Sequence, residues 1–242
     1  MKGDQWNYSR RKQRLLPKGV QTSDGRSPNV SMMQGHMLSY VGEEKLREGS
    51  SAIVRDGDRV SNIRVDVTVE SDVKRLHRLT VERTGKIDIL VDNADLMRFG
   101  KLDETDPSVW DMLMRTNVYA PWRLMVAVLP EMCKAGGGSI INISSIAGLK
   151  AFPSVGLYCT SKPALQMLSQ VMAMEVASDN IRVNLICPPV VEDTELSVPI
   201  FGEENVSEFY DNMRPLHPLD RNANRKTLPR PRSFWHPKRA HG

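Results

Sequence analysis

Apolar positions along the chain switch between two periods. In RVSNIRVDV (Arg59–Val67) β-branched residues alternate with polar ones, which predicts a strand. The following ESDVKRLHRLTVERTG places Val73, Leu76, Leu79 and Val81 at helical spacing and closes on Gly85. IDILV (Ile87–Val91) is a continuous apolar run, the form a strand takes when both faces of a parallel sheet are covered. TDPSVWDMLMRTNVYAPWRLMVAVLPEM predicts one long helix. Asp106 suits its N-cap and Pro107 its first turn, and Trp110, Leu113, Met114, Asn117, Leu124 and Val128 form its stripe. Gly136–Ser144 predicts a turn and then a strand, Tyr158–Val176 a helix, and Ile181–Cys187 a strand. Upstream, EEKLREGSSAIV (43–54) reads as a modest helix. Residues 1–40 show no element, since GVQTSDGRSPNV is turn-forming and HMLSYV is short.

Strands that alternate with helices predict an α/β fold with a doubly wound parallel sheet of Rossmann type. The expected organisation is a poorly structured segment 1–42, an α/β domain 43–220 and a basic tail 221–242. In such sheets ligands sit beyond the carboxyl ends of the strands, where VDNAD, NISSIAG and CPPVVEDT fall.

Charge sharpens this division. Net charge is +4, but residues 1–18 carry six Lys/Arg and one acid, and residues 221–242 carry seven Lys/Arg and no acid. Residues 19–220 hold 20 Lys/Arg against 28 Asp/Glu, an acidic body between basic tails. RRKQR (Arg10–Arg14) has the composition of a nuclear address or a nucleic-acid patch. With PRPRSFWHPKRAHG, which has three prolines and no periodicity, it reads instead as solvated tail. No run of 18 apolar residues and no signal-type N-terminus are present, so neither a membrane span nor secretion is expected. Cys133, Cys159 and Cys187 lack metal-ligand spacing and are expected as reduced thiols in the core of a cytosolic protein.

The candidate chemistry lies in LYCTSKPAL. Tyr158 and Lys162 are one helical turn apart, and Ser145 lies thirteen residues before the tyrosine at a predicted strand end. Tyr-x-x-x-Lys alone is common on helix surfaces. The added company of DNA (Asp92–Ala94), RTN (Arg115–Asn117) and IRVN makes the pattern specific. An ammonium within ~4–6 Å of a phenol lowers its pKa from ~10, which would suit Tyr158 to general acid–base work on a carbonyl that Ser145 holds. Pro121, four residues after Asn117, removes the helical partner of the Asn117 carbonyl, so a kink is expected there.

From about Glu43 to about Arg225 the chain resembles the short-chain dehydrogenase/reductase family. The resemblance implies a Rossmann-type domain, an NAD or NADP cofactor, and hydride transfer between a carbonyl and an alcohol substrate. It implies Ser145, Tyr158, Lys162 and Asn117 as the catalytic residues, the Asn117 carbonyl serving a water relay to the lysine. It implies Asp66, Val67, Asn93, Ala94, Tyr158, Lys162, Pro188, Val191 and Thr194 as cofactor contacts. A homo-oligomer through the two long helices is expected. The preference between NAD and NADP stays open, because no second strand is read.

The chain also departs from the family pattern. Its first strand and glycine-rich phosphate turn have no counterpart in residues 1–42, where Gly3, Gly19, Gly25, Gly35 and Gly42 never take that spacing after a strand. The sheet is therefore expected to be incomplete, with unpaired backbone beside IDILV and weak cofactor binding. The last strand is expected to be missing as well, both termini being read as replaced by altered splicing or a frameshift. Asp95 and Pro189 stand where the family has glycine, and Pro163 follows Lys162 inside a helix. The rival readings are a catalytically impaired relative without effective cofactor binding, and nucleic-acid binding through the tails.

Overall fold

The computed structural model describes residues 30–34, 37–40, 59–63, 65–192, 206–216 and 222–223, residues 30–62 by backbone alone. The helix read in 43–54 and both basic tails, apart from residues 222–223, lie outside the described residues. Among the described residues six strands form one sheet: β1 (Val30–Gln34), β2 (Met37–Tyr40), β3 (Arg59–Asn62), β4 (Ile89–Asp92), β5 (Gly138–Ile143) and β6 (Ile181–Ile186). Their spatial order is β3-β2-β1-β4-β5-β6. β2 pairs in parallel with β3, and β4, β5 and β6 pair in parallel with one another. β1 is antiparallel to both of its neighbours. Five strands thus share one direction and β1 alone is reversed.

This arrangement corrects the sequence reading of residues 1–42. That stretch supplies two strands, and a second strand does exist, beside β3. Met32 of β1 stands opposite Leu90 of β4, and Leu38 of β2 opposite Val60 of β3. The unpaired backbone expected beside IDILV therefore does not arise. VSMMQ carries Met, Ser and Gln in place of the β-branched and aromatic signature of strands, and HMLSYV is too short to predict one. β3 is shorter than RVSNIRVDV suggests. Ile63, Val65 and Val67 continue into the core beyond the ladder, 5%, 2% and 1% exposed.

Helix α1 (Glu70–Thr84) buries Val73, Leu76 and Thr80 and ends on Gly85, whose φ of 77° lets its N–H reach back to the Val81 carbonyl at 2.8 Å. The predicted long helix is a rod of three parts: α2 (Pro107–Met114), a π turn (Arg115–Tyr119) and α3 (Ala120–Lys134). Asp106 caps it, its carboxylate accepting the Ser108 N–H at 2.8 Å. The π turn lies where Pro121 has no N–H to offer Asn117, and the Ala120 N–H reaches five residues back to the Arg115 carbonyl. The irregularity expected at Asn117 takes the form of one wide turn. α4 (Gly156–Glu175) runs unbroken through Pro163, which lies on its exposed face.

The main core joins Val73 and Leu76 of α1, Leu90 of β4, Leu124, Val128 and Met132 of α3, and Ile140 of β5. A smaller cluster gathers Leu113, Ala147 and Val155 around Tyr158. After β6, Val191 bridges Ala223, with the Glu192 N–H donating to the Ala223 carbonyl at 2.8 Å. Helix α5 (Val206–Met213), from the segment FGEENVSEFYDNM, is tied to this bridge because Asn222 donates to the Tyr210 carbonyl at 2.7 Å.

β1 is paired on both sides, so a proline inside it must break a ladder bond in mid-sheet. Met32→Pro is expected to destabilise the protein by at least ~2 kcal/mol, read as a lower urea midpoint. An unchanged midpoint would mean that β1 carries no part of the sheet's stability.

Candidate active site

The carboxyl ends of β4 and β5 and the first turns of α4 converge on one buried cluster. Lys162 projects inward from α4 and is 0% exposed. A buried ammonium needs partners, because an unpaired charge away from water is costly. It has two. It donates to the Ile143 carbonyl at the end of β5, at 3.2 Å. Its Nζ also lies 3.0 Å from Asp95 Oδ1, just past β4, in an ion-pair contact rather than an aligned hydrogen bond.

Asp95 makes a second contact. Tyr158, 4% exposed, donates its hydroxyl proton to Asp95 Oδ2 at 2.8 Å. One carboxylate therefore bridges the tyrosine and the lysine. Ser145, half-buried after β5, is a near neighbour of the phenol, and its Oγ accepts the Ala147 N–H at 3.1 Å. Lys162 Nζ stands 5.2 Å from the centre of the Tyr158 ring.

The electrostatics reverse the expectation that Lys162 tunes Tyr158 downward. The phenol is pushed well above its ordinary value. Burial is the main cause, followed by the charge and the hydrogen bond of Asp95, with Ser145 opposing. The lysine is near enough to act, but the carboxylate is nearer the phenolic oxygen and of the opposite sign. Asp92, at the end of β4 and 2% exposed, is pushed up to about 7 by burial, against its hydrogen bond from the Ala94 N–H and the charge of Lys162. Two acids thus flank the buried Lys162.

Asn117 is fully buried and its side chain is committed. Its Oδ1 accepts the Leu96 N–H at 2.9 Å, and its Nδ2 donates to the Leu96 carbonyl at 2.8 Å and to Ser161 Oγ at 3.0 Å. Ser161 in turn donates to the Tyr158 carbonyl at 2.9 Å. The amide fastens the loop after β4 to the tyrosine's helix, which leaves only the Asn117 backbone carbonyl for a relay. Gln166, passed over in the sequence, donates toward Ser144 Oγ at 3.1 Å and the Ser145 carbonyl at 3.4 Å. A Cβ on Gly148 would overlap this amide, so a larger residue there would have to displace Gln166 from these bonds.

The other predicted contacts are scattered. Asp66 Oδ1 accepts the Thr68 N–H at 2.8 Å and the Thr68 hydroxyl at 2.7 Å, the bonds of a local turn. The Val67 side chain is in the core, and Ala94 is 3% exposed. Asn93 is exposed. The Pro188 carbonyl accepts the Ile146 N–H at 3.1 Å, and Val191 joins the bridge to Ala223. Thr194 lies outside the described residues. Cys133 is exposed rather than in the core, while Cys159 and Cys187 are half-buried, and all three are free thiols.

Sequence and structure comparisons converge. The profile of the short chain dehydrogenase family matches residues 32–205. An uncharacterized oxidoreductase of Thermotoga maritima is 34% identical over 184 residues, 76% of this chain and 72% of its own. An uncharacterized NAD-dependent oxidoreductase of Mycobacterium tuberculosis is 39% identical over 157 residues, 64% of this chain but only 57% of that relative's length. A gluconate 5-dehydrogenase from Burkholderia cenocepacia, solved with NADP and tartrate, superposes with a TM-score of 0.68 at 28% identity, over 77% of this chain and 72% of its own.

Asp92 generates a pH prediction. Its ordinary value of 3.8 rises to about 7 on folding, so the native state holds a proton that the unfolded chain releases. Stability should fall as pH rises from about 4 to about 7, by as much as ~4 kcal/mol, and stay level above. Asp92→Asn keeps the oxygen that accepts the Ala94 N–H and removes this slope. It is expected to match the wild type near pH 4 and to exceed it near pH 8 in urea unfolding.

Proposed function

The chain belongs to the short-chain dehydrogenase family, and on that footing we propose that it is an NAD(P)-dependent oxidoreductase interconverting a carbonyl and an alcohol by hydride transfer. The observation that carries this reading is the single cluster of Ser145, Tyr158 and Lys162 at the carboxyl edge of the sheet. Tyr158 is the proton-transferring group. Its hydroxyl is the buried acid of the cluster, and the Ser145 hydroxyl beside it is placed to bond a carbonyl oxygen. Lys162 acts as a fixed charge, and Asn117 holds the loop after β4 against the tyrosine's helix. The relay through the Asn117 carbonyl remains part of the proposal. So do the coenzyme contacts at Asp66, Val67, Asn93, Ala94, Pro188, Val191 and Thr194. The cytoplasmic location belongs to the same reading. Among the described residues no helix is long and apolar enough to cross a membrane.

A homo-oligomer through the long helices is part of this reading too. Trp110, Met112, Tyr119 and Trp122 on the α2–α3 rod, and Met167, Val171 and Met174 on α4, are large apolar side chains that face solvent. They are the kind of surface a second copy would cover.

The coenzyme fits one end of the site only. A pyrophosphate is held well where a strand passes through glycines into a helix N-terminus. Here β1 is reversed, so at the edge where β4 ends on Asp92 the chain enters β1 at Val30 instead of leaving it for a helix. The described residues beside β4 thus offer no phosphate cradle. This favours, as a second reading, a relative whose coenzyme binding is impaired.

Two measurements separate these readings. Calorimetry with NADH and NADPH is expected to give dissociation constants near millimolar, because several charge-assisted hydrogen bonds of ~1.5–3 kcal/mol each are missing. A constant near ~10 micromolar would refute this and require phosphate donors elsewhere in the chain. Where carbonyl reduction is detected, Tyr158→Phe is expected to lower it ~10²–10⁴-fold with unchanged circular dichroism. More than about a tenth of the rate remaining would remove Tyr158 from the chemistry.

A further inference from the structure

Asp95 is the feature of the cluster that the proposed reaction does not require. It follows β4, is partly buried, and touches both groups on which the chemistry depends. Its Oδ2 accepts the Tyr158 hydroxyl at 2.8 Å and its Oδ1 lies 3.0 Å from Lys162 Nζ. Both distances are short, and both partners are nearly or wholly out of water. Strong, weakly screened coupling follows from that burial.

We propose that Asp95 is the positioning residue of this site: its carboxylate clamps the Tyr158 hydroxyl as a donor and balances the charge of Lys162, so that the tyrosine keeps its proton. The effect is one of sign and distance. Removing the phenolic proton would set an oxyanion against a carboxylate 2.8 Å away. The Lys162 charge that would otherwise favour the oxyanion is instead engaged by the same carboxylate. The upward displacement of the Tyr158 phenol, with Asp95 the largest cause after burial, agrees with this.

The charged and titratable neighbours of the phenol come from three elements. From α4, Lys162, its Nζ 5.2 Å from the ring centre, has the sign that favours the phenolate, and Cys159 opposes it weakly. From the end of β4, Asp92 acts on Lys162 and Asp95 rather than on the phenol itself. From the loop after β5, the Ser145 hydroxyl opposes the upward displacement. Asp95 is the one group here whose charge and hydrogen bond both hold the proton in place.

A directional consequence rests on the proposed function. A protonated Tyr158 is ready to donate to a carbonyl oxygen, while alcohol oxidation needs the phenolate as acceptor. Asp95 therefore favours reduction and confines oxidation to alkaline pH.

The test needs no coenzyme, so it stands apart from whether the protein is active. The near-ultraviolet absorbance of tyrosinate is followed against pH in the full-length wild type and in Tyr158→Phe, and the difference isolates Tyr158. The same difference is taken for Asp95→Asn with and without Tyr158→Phe. Asp95→Asn is expected to raise the ionisation constant of Tyr158 at least ~10-fold, and Asp95→Glu to restore much of the wild-type behaviour. Asp95→Ala serves as a second variant should the amide impair folding, and the same shift is expected. An ionisation constant within about twofold of the wild type in these variants would overturn the proposal. Failure of Tyr158 to ionise in any of them before alkaline unfolding would overturn it too, since burial alone would then account for the retained proton.

Discussion

The ammonium of Lys162 is the constraint around which the site is organised. A lysine 0% exposed must be paired, and its partners come from two different strand ends. The Ile143 carbonyl closes β5, and Asp95 follows β4. Those contacts hold the carboxyl edges of two parallel strands to one turn of α4, the turn that also carries Tyr158. Breaking such a pair by removing one partner is far more damaging than never having it, because the remaining charge stays buried. The geometry of the tyrosine and serine is thus secured by an electrostatic requirement of the lysine.

Much of this was legible in the sequence, for identifiable reasons. β4, β5, β6, α1, α2–α3 and α4 have strong apolar periodicity, and their positions follow from it within a few residues. Asp106 and Gly85 marked helix ends by chemistry that needs no tertiary context. Ser145, Tyr158 and Lys162 were legible as a group because their strand-end and helical settings were. The hairpin of β1 and β2 was not legible. Its residues have weak strand propensity, and only a gap between β3 and β4 gives them a reason to pair. That reason is tertiary, and a window along the chain cannot contain it. Asp95 was visible only as a carboxylate at a family glycine position. Its two contacts lie 63 and 67 residues away in sequence and emerge only on folding.

The reversed strand shows how sheet completion and ligand binding can separate. A central position left empty would expose a ladder of backbone groups on each neighbour, and burying them unpaired is costly. Any strand of either direction removes that cost, and β1 does so while antiparallel. A phosphate site is more demanding, since it needs the chain to leave the strand at the carboxyl edge and to begin a helix there. The pairing requirement is blind to direction and the binding requirement is not. A family fold can therefore persist while the strand beside β4 runs in the direction that a phosphate turn does not use.

The charge balance of the cluster carries the same point into chemistry. Lys162 with Asp95 is a neutral pair, and Tyr158 adds no charge while it keeps its proton. Asp92, held near neutrality in its titration, is the variable member. Protonated, it leaves the buried group neutral. Ionised, it adds a negative charge that only Lys162 can offset, and Lys162 is already engaged. Because both acids stand on the loop and strand end of β4, the lysine answers to two carboxylates at once. Loss of a proton from Tyr158 would then make a third anion around a single cation. A low-dielectric cluster resists that outcome more strongly than it resists any one of the pairings alone.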